Sequence, residues 1–150
     1  MLEERIFKEY QEAMKARDAL KISVLSFLRS EILNTALAKK KNSLTDEEII
    51  AVIRKQIKAR QDAVAQFING NRQDLADKET KEIEILKTYL PPELPPEELN
   101  RIIEEVVVEA AAKDIKDMNR VMKEVSLRVA GRAEGKLISD LVRQRLIKAP

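Results

Sequence analysis

The whole chain reads as helix, with apolar residues recurring three and four positions apart. Ile6, Tyr10, Ala13 and Met14 predict a first helix over 3–17. Asp18 is placed to cap a second, over 19–41, with Leu20, Val24, Phe27, Leu28, Ile32 and Leu37 on a broad apolar face. It ends in Lys39, Lys40 and Lys41, cations at the negative end of the helix dipole. Thr45 and Glu48 spell a capping box, in which each side chain satisfies an orphan N–H of the other residue. Leu44 and Ile49 flank it as a hydrophobic staple. A third helix follows over 46–69, striped by Ile50, Ile53, Ile57, Val64 and Phe67. It stops at Asn69-Gly70-Asn71, residues that tolerate the left-handed conformation. The fourth, over 73–89, offers Leu75, Ile83, Ile85, Leu86 and Leu90 for burial, and its middle, 77–82, reads as solvated.

Pro91, Pro92, Pro95 and Pro96 then stand within six residues, which no helix survives. This segment reads as a semi-rigid linker between an N-terminal domain, 1–90, and a C-terminal one, 95–150. Pro96 suits the first position of a fifth helix, with Glu97 and Glu98 in its first turn and Leu99, Ile102, Ile103, Val106 and Val107 behind. Asp114 is placed to cap a sixth, holding Ile115, Met118, Val121, Met122, Val125 and Val129 and ending at Gly131. The last begins near Gly135 and carries Leu137, Ile138, Leu141, Val142 and Leu146. The expected fold class is all-α: a bundle of long helices joined by a Pro-rich linker to a small three-helix domain.

Composition narrows the chemistry. The chain contains no His, Cys or Trp, which excludes Ser-His-Asp and Cys-His centres, thiolate zinc sites and iron–sulfur clusters. No cofactor is expected. Aromatics are 3% of the residues, too few for a surface that stacks bases. No apolar run approaches the ~20 residues of a membrane span, so no membrane partner is expected. The first residues lack the basic-then-apolar order of a signal peptide, and the default expectation is a cytoplasmic protein. The net charge of +2 is small, but it is unevenly spread. Residues 91–119 hold three bases and eight acids, whereas 120–150 hold eight bases and three acids.

Each stretch that resembles a chemical site also has an ordinary structural role open to it. Gly131-Arg-Ala-Glu-Gly135-Lys136 fails as a phosphate loop: its glycines are one residue too close, Leu137 follows the Lys, and a helix precedes it. It reads as a tight turn between helices, or as a place where the start of the last helix, with Arg132 and Lys136, holds an RNA phosphate. The adjacent acids Glu47/Glu48, Glu97/Glu98 and Glu104/Glu105 diverge by about 100° on a helix and cannot converge on one atom. Glu79 and Glu82, beside Lys78 and Lys81, read as a solvated face. Arg60 interrupts the stripe of the third helix and calls for a carboxylate on the second or fourth helix. Met118 and Met122, one turn apart, read as core, with an adaptable partner groove as the other reading. None of these is a nucleophile with an activating base, so the residues do not describe a catalyst acting alone.

An ordered set of short motifs resembles the bacterial YqeY family. It runs Ala13-Met-Lys-Ala-Arg-Asp18, Leu44-Thr-Asp-Glu-Glu48, Lys58-Ala-Arg60-Gln-Asp, Arg72-Gln-Asp-Leu-Ala76 and Tyr89-Leu-Pro91. Lys116-Asp-Met118, Val121-Met-Lys123, Gly131-Arg-Ala-Glu-Gly-Lys136 and Leu141-Val142 follow. Asn71, Ala63 and Glu134 depart from the family's Gly, Ser and Asp. The resemblance implies a two-part helical fold whose C-terminal part is similar to the tail of GatB, a subunit of the glutamine-dependent aspartyl/glutamyl-tRNA amidotransferase. That enzyme is a carbon–nitrogen ligase in which the tail helps hold tRNA while chemistry sits elsewhere.

The resulting expectation is an accessory module of translation that binds tRNA phosphates through Arg120, Lys123, Arg128, Arg132, Lys136, Arg143 and Arg145, with steep salt sensitivity. The alternative is a protein-interaction adaptor docking on amidotransferase or aminoacyl-tRNA synthetase subunits. An enzyme using carboxylates or a metal alone is a third possibility.

Overall fold

The structure, a computed structural model, describes residues 1–147. It is all-helical: α1 (Leu2–Ala16), α2 (Ala19–Ala38), α3 (Asp46–Asn69), α4 (Gln73–Lys87), α5 (Pro96–Glu109), α6 (Met118–Val129) and α7 (Gly135–Ile147), with a 3₁₀ turn at Ile115–Asp117. The chain divides into two compact units, Met1–Leu90 and Pro91–Pro150.

The turns between helices are made by local chemistry. Arg17 takes a left-handed conformation after α1, and the Asp18 carboxylate then accepts the Lys21 N–H to start α2. At α3 both halves of the capping box form: Thr45 Oγ1 accepts the Glu48 N–H at 3.2 Å, and Glu48 Oε1 accepts the Thr45 N–H at 3.0 Å. Asp46 at the head of α3 also accepts the Leu2 N–H, satisfying an orphan donor of α1. Asn71, at φ 59°, makes the left-handed turn before α4.

In the first unit α2 and α3 each touch the other three helices. Val24, Leu25, Leu28 and Ile32 of α2 bury against Ile6, Ile49, Ile53, Ile83 and Leu86. Three residues expected on buried faces are exposed instead: Met14 at 54%, Phe27 at 52% and Leu37 at 65%. Helix α2 is apolar on more than one side, and its neighbours cover only the Val24–Leu28–Ile32–Ala36 row and Leu25.

The second unit has its own aliphatic core, with Leu99, Ile103, Val106 and Val107 of α5 against Val121, Val125 and Val129 of α6 and Ile138, Val142 and Leu146 of α7. The expected single helix from Asp114 is broken. Asp114 caps a 3₁₀ turn by accepting the Lys116 N–H at 2.9 Å, while Asp117 accepts the Lys113 N–H at 2.8 Å. The Lys113 N–H, and then the Asp114 N–H, hold the Asp117 carboxyl below its ordinary value. Ile115 and Leu137, expected in the core, are exposed. Helix α6 ends one residue earlier than Gly131, at Ala130, which itself is left-handed at φ 51°.

Candidate nucleic-acid interface

Lys123, Lys136 and Arg143 are exposed and carry no ion pair among the described residues. Lys136 and Arg143 are seven residues apart on α7, two helical turns, and so lie on one face, opposite Ile138 and Val142. Lys136 stands in the first turn of α7, where the helix dipole adds positive potential. Lys123 lies on the outer side of α6, away from buried Val121 and Val125.

The other four cations face the protein itself. Arg128 binds Glu109, donates from Nε to Glu124 one turn earlier at 3.2 Å, and reaches Glu105 at 3.9 Å. Arg145 meets Glu104, and Arg120 meets Asp117 at 3.0 Å. Arg132 works as a clamp on the proline segment: its Nε donates to the Pro92 carbonyl at 3.2 Å, and its own carbonyl accepts the Leu94 N–H at 2.9 Å. Acids of the 91–119 surplus are thus paired with bases of 120–147, and the sequence from 91 to 150 holds eleven bases and eleven acids in all. Lys148, part of that basic surplus, lies outside the described residues.

Arg60 finds its carboxylates. Its Nη1 donates to Glu79 at 3.2 Å and to Glu82, both on α4, and its guanidinium lies 5.9 Å from the Phe27 ring on α2. Glu79 and Glu82 are therefore not a solvated face; Glu82 is only 8% exposed at its side chain. Gln56, one turn before Arg60, is buried with no hydrogen-bond partner on either amide atom among the described residues.

One arrangement had no signal in the sequence. Arg29 lies over two rings, Phe7 at 4.6 Å and Tyr10 at 4.9 Å from its Cζ to the ring centroids. A spacing rule could have paired the two rings, three apart on α1, but nothing local brings an α2 guanidinium to them.

Comparison with known proteins places the chain. The profile of the Yqey-like protein family matches residues 3–146. Among curated relatives, "Altered inheritance of mitochondria protein 41, mitochondrial" of Candida glabrata is 38% identical over 84 residues, 55% of this chain and 46% of that protein. The protein of the same name from Vanderwaltozyma polyspora is 28% identical over 109 residues, 71% of this chain and 59% of its own. That from Pyrenophora tritici-repentis is 24% identical over 131 residues, 86% of this chain and 71% of its own. The chain spans about half the length of the first two. These names correct the cytoplasmic expectation, because the relatives are mitochondrial proteins. Composition could not have told the difference, since an import address is read by a receptor and is not a property of a helical core.

Proposed function

The chain belongs to the Yqey-like protein family, and from that premise we propose that it is an RNA-associated accessory protein, with tRNA the favoured ligand, gripping phosphates through Lys123, Lys136 and Arg143. The observation that carries this reading is the pair Lys136 and Arg143, exposed on one face of α7 with no carboxylate within ion-pair distance among the described residues. A phosphate backbone rewards cations that are not already neutralised. The resemblance of this part to the amidotransferase tail supports the same reading.

The internal pairing of Arg120, Arg128 and Arg145 changes the size of the expected effect. Three cations give a slope of log affinity against log salt of roughly −2 to −3, well short of a dedicated nucleic-acid binder. Fluorescence anisotropy of the full chain with unfractionated tRNA at two salt concentrations measures it. Charge reversal of Lys136 and Arg143 together is expected to abolish binding with the helical circular dichroism intact. Unchanged affinity would sink the assignment of this face.

A protein-interaction adaptor is the second reading, favoured by Val108 of α5 and Leu127 of α6, each 67% exposed. Its sign is a partner such as an amidotransferase or synthetase subunit that stays bound through high salt and nuclease, with no tRNA binding at low salt.

A further inference from the structure

We propose that the groove between α1, α2 and the α2–α3 loop binds a small phosphate monoester, with Arg29 as its anchor. The groove encloses about 330 Å³, at the small end of ligand pockets. Its polar wall carries Arg29, Ser26 and Ser30 from α2 together with Asn42 and Ser43 from the loop. Its floor is apolar, with Ala36 and Leu44 both buried.

Arg29 is poised for an anion in three respects. No carboxylate or carbonyl accepts from its guanidinium among the described residues, whereas Arg5, Arg60, Arg128 and Arg145 all have acid partners. Phe7 and Tyr10 take up the face of the guanidinium, at 4.6 and 4.9 Å, which leaves the N–H edge as its means of recognition. The rings also restrict the long side chain, so less rotamer freedom is lost when an anion arrives. Ser26 and Ser30 are four apart on α2 and share its outer face, one turn from each other.

The donor set favours phosphate over carboxylate. A guanidinium fork, three hydroxyls and an amide suit the three oxygens of a phosphate monoester, whereas a carboxylate offers only two. Glu3 also lines the groove. It repels a second anionic group and accepts a hydrogen bond from a hydroxyl on the ligand body. The chemistry is therefore that of a monophosphate on a small hydroxylated body.

The test is an NMR titration of the full-length protein with glycerol 3-phosphate, with inorganic phosphate and acetate as separate arms. The expected result is saturable shifts of the amides of Ser26, Ser30, Asn42 and Ser43, tighter for the ester than for inorganic phosphate and absent with acetate. Arg29→Gln is expected to weaken binding at least tenfold. Because this change also removes the contact with the two rings, Ser30→Ala serves as the milder variant and is expected to weaken binding severalfold with the fold retained. No saturable shift, equal response to acetate, or affinity unchanged in both variants would overturn the proposal. Since the groove lies in the unit of residues 1–90, its failure leaves the reading of Lys136 and Arg143 standing, and the reverse also holds.

Discussion

Arg145 grips Glu104 in a two-pronged ion pair, Nε to Oε2 at 2.6 Å and Nη2 to Oε1 at 2.9 Å, joining α7 to α5 across 41 residues of sequence. The hydrogen bonds from the guanidinium hold the Glu104 carboxyl below its ordinary value. The side chains remain 33% and 51% exposed, so water screens the pair and its net worth is small. Glu104→Gln is expected to cost no more than about 1 kcal/mol in urea unfolding. The same change releases Arg145, and affinity for tRNA is expected to rise severalfold in the anisotropy assay. A fall in affinity would mean that α7 does not face the ligand.

The Arg60 cluster should behave differently, because it is buried. Its side chain is 16% exposed and that of Glu82 is 8%. Arg60→Met leaves two carboxylates facing each other under the surface and is expected to cost about 3–5 kcal/mol. Replacing Glu82 by Leu as well removes the stranded charge, and most of that loss should return. Urea midpoints of the single and double variants decide this; equal losses would show that Arg60 acts through its packing on Phe27.

Gln56 supplies a stabilising change. Its amide is buried with no partner among the described residues, an arrangement that costs about 1–3 kcal/mol. Gln56→Met keeps the length and removes the polar atoms. The variant is expected to melt higher than the parent in a thermal scan. A lower melting temperature would mean the amide is satisfied in solution.

Acid should weaken the start of α3. Hydrogen bonds from Lys39 and Lys41, and then from the Thr45 N–H, hold the Glu48 carboxyl far below its ordinary 4.5. In the unfolded chain Glu48 takes up its proton near that ordinary value, and in the folded chain only at much lower pH. Below about pH 5 the unfolded state therefore binds more protons, and stability falls with pH. Above that window both states are ionised and the contribution is complete. Glu48→Gln is expected to flatten this part of the stability-versus-pH curve between pH 5 and 3 and to lower stability at pH 7, as followed by urea unfolding at each pH.

What the sequence determined by itself is what neighbours a few residues apart can settle. Asp18, the Thr45–Glu48 box and Pro96 set helix starts because the groups they satisfy are three residues away or fewer. The all-helical class followed from the same short-range periodicity. The break at Asp114–Asp117 was also local, and two acids three apart before a short turn were a signal that could have been read. Only tertiary structure decided which side of α2 is covered, leaving Leu37 in water and Leu25 fully buried. It also decided that Glu82 is buried, because the cation that makes this tolerable sits 22 residues upstream on α3. The candidate interface changed most. Seven basic residues stand close together along the chain without showing whether they share a face, yet Arg128 and Arg145 are neutralised by acids of α5, whereas Lys123, Lys136 and Arg143 have no such partner among the described residues. Charge counts add along a sequence, but electrostatic energy depends on distance in space, and that distance is fixed only when the helices pack.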